Sequence, residues 1–169
     1  MIRISVPGSL GYRELVLRAV ESSCKLARSA GEDVQEAGHG SLPRAEPFEA
    51  EVVSAIGEAF NNIALHGYGG VATGRVDLEI TPAPDQLTIV LRDTGKSFDP
   101  HAVPAPDLVH LPESGMGLYI IRSFMDLVEY TPGRDGAPNV LRLVKQMRRV
   151  SPEARSLQRA QSDPQRRPR

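Results

Sequence analysis

Residues 48–68 read FEAEVVSAIGEAFNNIALHGY, and two stripes run through them at helical spacing. Phe48, Val52, Ile56, Ala59 and Ile63 recur at three- and four-residue steps, which predicts a helix from about Phe48 to His66 with one face turned to a core. Glu58, Asn62 and His66 stand at i, i+4 and i+8 beside that face. Four residues advance a helix by about 400°, so these three side chains form a nearly straight polar stripe. The stripe is either a solvated face or one wall of a site. Gly67, Gly69 and Gly70 then stop the helix.

Downstream, Val76–Thr81 and Leu87–Arg92 read as two strands joined by a turn at Pro82–Asp85. The second strand leads into LTIVLRDTGKSFD, residues 87–99, where an apolar run ends in Asp93 and Gly95 follows two residues later. An Asp in this place is an ordinary turn former, or a fixed carboxylate that accepts a hydrogen bond from an amino group such as that of adenine. In the second case Gly95 lets backbone pass close to a flat ring. Thr94 to Gly115 is a Gly-, Pro-, His- and Ser-rich loop, of a length that in compact domains is usually functional or disordered. Gly115-Met116-Gly117-Leu118 opens an apolar helix predicted over Met116–Tyr130. Glycines at a helix start leave N–H groups bare at the positive end of the helix dipole, which makes a phosphate seat. Thr131–Pro138 is a turn and Val140–Val144 a last strand.

Upstream, Ile2–Val6 alternates as a strand. A helix is predicted from about Tyr12 to Ala30, with Leu15, Ala19, Val20, Cys24 and Ala27 on its inner side, and Gly31–Pro47 is a loop. The order strand, helix, helix, two strands, helix, strand predicts an α+β fold with helices on one face of a largely antiparallel sheet.

At 169 residues, 40% of them hydrophobic, the chain has material for one core. Residues 1–147 are expected to form that domain, and 148–169 a basic, disordered tail. From Lys145 to Arg169 there are eight basic residues against two acidic ones, which leaves twelve against nineteen in the rest. An acidic body is not built to hold nucleic acid, so no direct DNA binding is expected. A lone Cys24 rules out an internal disulfide framework. No run approaches the roughly 20 apolar residues of a membrane span, and a cytoplasmic location without membrane contact is expected. His39, His101 and His110 fall in loops without partner ligands at metal spacing and read as solvated.

Together the three polar places describe a nucleotide site. Asp93 and Gly95 take the base, and Gly115, Met116, Gly117 and Leu118 form the phosphate turn. Asn62 is a neutral oxygen ligand for Mg²⁺, which keeps several waters and needs few protein ligands when phosphates supply the rest. Glu58, one turn before it, is placed to take a proton. Asp93-Thr94-Gly95 also reads as an aspartic protease triplet. Such enzymes need two facing carboxylates, hence a homodimer, and this reading leaves Asn62, Gly115 and Gly117 without a role.

The stretches EAFNNIALHGY (58–68), DTGKSFDP (93–100), GMGL (115–118), MDLVEY (125–130) and NVL (139–141) follow one another over roughly residues 45–146. In this order they resemble the GHKL (histidine kinase-like) ATPase superfamily, and within it the stand-alone anti-sigma factor/serine protein kinase family. The resemblance implies a two-layer α/β sandwich with a mixed, mostly antiparallel sheet and helices on one face. It implies ATP and Mg²⁺ as cofactors, with Asn62 as metal ligand, Glu58 as general base, Asp93 on the adenine amino group and Gly95 beneath the ring. Gly115 and Gly117 become the phosphate turn, and Ser97–Ser114 the mobile lid. A sigma factor and an anti-sigma factor antagonist are the implied partners, with serine phosphorylation of the antagonist as the reaction. An ATP-driven binding switch without phosphoryl transfer is the alternative. The family's dimeric habit also admits a homodimer. Ser97 stands where the family's glycine box often has a second glycine, and Glu113 where some members carry a basic residue.

Overall fold

The computed structural model describes residues 1–29, 47–71, 74–97 and 116–147. The elements run β1 (Ile2–Pro7), α1 (Arg13–Ser29), α2 (Pro47–Asn62), β2 (Arg75–Pro82), β3 (Gln86–Asp93), α3 (Gly117–Phe124), β4 (Leu127–Thr131) and β5 (Asn139–Gln146). A 3-10 turn, Leu10–Tyr12, precedes α1, and a π-helical turn, Ile63–Gly67, prolongs α2. Outside the described residues lie the linker 31–46, His39, His101 and His110, the expected lid from residue 98 through Glu113 and Ser114, Gly115, and the tail 148–169.

The sheet order is β1-β2-β3-β5-β4, and all four neighbouring pairs are antiparallel. Alternation places Val76, Leu78 and Ile80 of β2, Leu87, Ile89 and Leu91 of β3, and Leu141 and Leu143 of β5 in the core. Helix α1 meets that face with Val16, Val20, Cys24 and Ala27; α2 adds Val52, Ile56, Ala59 and Phe60, and α3 adds Ile121. The outer face carries Arg3, Glu79, Arg142 and Glu129, paired as Arg3–Glu79 (3.3 Å) and Arg142–Glu129 (2.7 Å). A buried Leu or Ile contributes roughly 1.5–3 kcal/mol, an exposed ion pair about 0–1 kcal/mol. The inner face therefore holds the two layers together, and the predicted α+β sandwich with helices on one face is the observed one.

Three local expectations are corrected. The helix predicted over Met116–Tyr130 ends at Phe124, and Leu127–Thr131 pairs with β5 as an edge strand. The Met125 N–H donates to Ile121 O (3.0 Å) and closes the helix, while Asp126 N donates to Val144 O (2.9 Å) and opens the ladder. LVEYT alternates as a strand should, but no Gly or Pro separates it from the apolar helix before it. On α1, Leu15 is 55% exposed and Val16 fills the core position instead. At the end of α2 the π-helical turn breaks the 3.6-residue period, and His66 leaves the polar stripe for solvent.

Candidate functional site

Strands β3 and β5 lie side by side with Asp93 directly opposite Asn139. Each residue closes an inward row: Leu87, Ile89 and Leu91 lead to Asp93, and Leu143 and Leu141 lead to Asn139. Both polar side chains thus occupy the register of the core, at 7% and 2% exposure. Unpartnered there, each would cost about 1–3 kcal/mol. Asn139 Nδ2 donates to Asp93 Oδ1 (2.9 Å) and to the Gly95 carbonyl (3.0 Å), and its Oδ1 accepts from Ser97 Oγ (2.6 Å) and Gly133 N (2.8 Å). Gly95 N donates to the same Asp93 Oδ1 at 2.8 Å, the local bond by which an Asp makes a turn.

That turn is pressed against the end of α2. Lys96 N donates to Gly67 O (2.9 Å), and a Cβ on Gly95 would stand 2.8 Å from the Gly67 carbonyl carbon and oxygen. The close approach expected of Gly95 is therefore made to the Gly67 backbone. Gly69 and Gly70 carry the chain away at φ +66° and +77°, the left-handed region that glycine enters without strain. On the far side Tyr68 donates its hydroxyl to Arg75 O (2.7 Å) and accepts from Thr94 N (3.0 Å).

Helix α3 starts across from the polar side of α2. A Cβ on Gly117 would lie 2.8 Å from Glu58 Oε2 and 3.5 Å from Asn62 Oδ1. Its first turn is closed by Ile120 N donating to Met116 O (2.9 Å), so the N–H groups of Gly117, Leu118 and Tyr119 have no acceptor within the helix. Between α2, α3 and the sheet runs a cleft lined by Ala59, Asn62, Ile63, Gly67, Asp93, Lys96, Leu118, Ile121, Val128, Tyr130, Asn139 and Leu141. Its walls are mostly apolar, with a few polar groups converging on them, as in small-molecule sites generally.

The structure gathers most of the residues singled out in the sequence. Asn62, Asp93 and Leu118 line the cleft, while Glu58 and Gly117 meet beside it. Gly95 forms the turn behind Asp93, and Met116 is half-buried just before α3. His66 stands apart. Sequence reasoning passed over Asn139 as a site residue, and it missed the contribution of Val128 and Tyr130 because β4 was read as helix. A polar residue in phase with Leu141 and Leu143 is the signal that points to Asn139.

Three helices on one face of an antiparallel sheet, with a cleft between α2, α3 and the sheet, make an α+β two-layer sandwich. Residues 10–145 match the family model for the histidine kinase-like ATPase domain, and the chain belongs to that family. It is 36% identical over 84 residues to the serine-protein kinase RsbW of Bacillus cereus (strain AH187), covering 44% of this chain and 51% of that protein. It is 34% identical over 86 residues to the anti-sigma F factor of Clostridium beijerinckii, covering 47% and 58%. The chain thus spans about half the length of the curated relatives it matches. The histidine kinase domain of the Erythrobacter litoralis EL346 blue-light activated histidine kinase superposes with a TM-score of 0.47 at 18% identity, over 83% of this chain and 61% of that one. Among the described residues no helix is long and apolar enough to cross a membrane.

Proposed function

We propose that the chain binds Mg·ATP in the cleft between α2 and the start of α3, and acts as an anti-sigma factor that phosphorylates a serine of an anti-sigma factor antagonist. The observation that carries the reading is the pairing of two unlike ends in one cleft. Asp93 offers a carboxylate in an apolar slot, and across from it Gly117 brings the start of α3, whose first N–H groups have no acceptor within the helix, against Glu58 and Asn62. The first end fits a flat base bearing an amino group, and the second fits an anion with a hard cation. The donor set therefore suits a nucleotide.

In this reading Asp93 and the turn through Gly95 hold the base, Asn62 supplies a neutral oxygen to magnesium, and Gly117 and Leu118, with Gly115 and Met116 before them, present backbone N–H groups to the phosphates. Bound ATP supplies the phosphoryl group. Glu58 is half-buried beside Asn62, where its carboxylate takes the proton from an incoming serine hydroxyl. The relatives' names, serine-protein kinase and anti-sigma F factor, support the kinase and the anti-sigma role.

Ligand-dependent thermal stabilisation tests the reading. Mg·ATP at 100 times Kd adds about 2.7 kcal/mol to the stability of a protein that binds it only when folded, a rise of about 5–10 °C in Tm for a chain of this size. Asn62→Ala should remove most of that rise without lowering the melting point of the free protein. An unchanged wild-type Tm at millimolar Mg·ATP would refute nucleotide binding.

A further inference from the structure

The carboxamide of Asn139 has no capacity left for a ligand. Its two N–H donors go to Asp93 Oδ1 and Gly95 O, and its oxygen accepts from Ser97 Oγ and Gly133 N. Two donors and two lone pairs are all that a carboxamide has, and the residue is 2% exposed. Whatever Asn139 does for a ligand must therefore pass through the groups it holds.

One of those groups is the carboxylate of the cleft. Asp93 Oδ1 receives two donors, Asn139 Nδ2 at 2.9 Å and Gly95 N at 2.8 Å. They arrive from different elements, β5 and the turn, so together they fix the rotation of the carboxylate about its Cβ–Cγ bond. With Oδ1 engaged in this way, Oδ2 is the acceptor left for the cleft. The same carboxamide holds the turn by its Gly95 carbonyl and by Ser97, so the position and the orientation of the carboxylate share one support.

We propose that Asn139 is a positioning residue for base discrimination: it orients Asp93 so that Oδ2 distinguishes a purine bearing a 6-amino group from one without it. The inference rests on the nucleotide reading above and assigns a residue that the reading leaves out. Asn139→Asp makes the sharpest test, because it keeps the shape and replaces the donor by a second acceptor facing Asp93 Oδ1 and Gly95 O. Asn139→Ala removes the donor without adding repulsion and serves where the first variant folds poorly.

Calorimetric titration with Mg·ATP and with the Mg complex of purine riboside triphosphate, which lacks the 6-amino group, gives the decisive ratio. A hydrogen bond to a charged group is worth about a tenfold to hundredfold preference for ATP in the wild type. Each Asn139 variant should bring that preference to within about threefold of unity, with the larger loss falling on ATP. A structural role alone would weaken both ligands by the same factor. An unchanged ratio, or equal loss of both, overturns the assignment of Asn139 and leaves ATP binding standing. Failure of the wild type to bind either triphosphate overturns the nucleotide reading and this inference with it.

Discussion

Alanine at Gly95 places a methyl group 2.8 Å from the carbonyl carbon and oxygen of Gly67 and 3.0 Å from its Cα. Non-bonded carbons settle at about 3.5–4.0 Å, so one of the two backbones must withdraw by roughly 0.5–1 Å. Neither moves alone. Lys96 N is bonded to Gly67 O at 2.9 Å, Gly95 N to Asp93 Oδ1 at 2.8 Å, and Gly95 O to Asn139 Nδ2 at 3.0 Å. Overpacking against a rigid neighbour costs about 1–3 kcal/mol, and one hydrogen bond lost in the retreat adds about 1 kcal/mol. At about 2–4 °C per kcal/mol for a chain of this size, Gly95→Ala should lower Tm by about 4–16 °C.

Gly117→Ala supplies the contrast that makes the test specific. Its methyl also falls 2.8 Å from a neighbour, but the neighbour is Glu58 Oε2, the free end of a flexible side chain. A rotamer change absorbs the clash, and alanine's better helix propensity offsets about 0.5–1 kcal/mol. The melting point of Gly117→Ala should stay within about 2 °C of wild type, with Glu58 displaced from its place beside Asn62. Thermal melts by circular dichroism, without nucleotide, separate the two. Equal losses in both variants, or a Gly95→Ala protein that melts with the wild type, would refute the distinction between backbone and side-chain contact.

Two further outcomes follow from other contacts. Lys145 Nζ donates to Phe124 O, the last carbonyl of α3, at 2.6 Å and pairs with Glu51 of α2 at 2.5 Å, with only 15% of its side chain exposed. Lys145→Met should destabilise the protein by about 1–3 kcal/mol in urea titration; a change below 0.5 kcal/mol would mean that the clip does not hold α3 to the sheet. On the proposed kinase reading, Glu58→Ala should cut transfer of label from radioactive ATP to a serine-bearing antagonist by about 10²–10⁴-fold while leaving ATP-dependent stabilisation in place. Equal labelling by wild type and variant would remove Glu58 from the chemistry, and no labelling by either would favour the binding switch.

Helix α2 and strand β3 were legible because their burial is decided locally. Val52, Ile56, Ala59 and Ile63 keep helical spacing over about three turns, and Leu87, Ile89 and Leu91 alternate without a break, so the periods announce themselves. Asn62 and Asp93 could be picked out for the same reason, as polar residues where those periods meet a glycine-rich stretch. Strand β4 was not legible. Five residues following an apolar helix become a strand through pairing with β5, and that is a contact made at a distance in sequence. The π-helical turn, with Tyr68 N bonded to Ile63 O at 2.9 Å, escaped likewise: the residues Ile63–Gly67 carry no break in the sequence that marks it.

Asn139 shows what kind of information was missing. With the last strand begun at Val140, Asn139 falls in a turn rich in Gly, Pro and Asp, where an asparagine is ordinary. With the strand begun one residue earlier, it is the inward residue next after Leu141, in the core register. A one-residue shift at a strand end therefore converts a turn former into a buried carboxamide that must find four partners. Only the pairing of β5 with β3 supplies them, because it sets Asn139 opposite Asp93 and brings the Gly95 turn within reach. When two neighbouring strands both end their inward rows in a polar residue at the same edge of the sheet, burial demands that the two satisfy each other. On the proposed nucleotide reading, Asp93 Oδ2, which accepts no hydrogen bond among the described residues, is then the oxygen that meets the ligand.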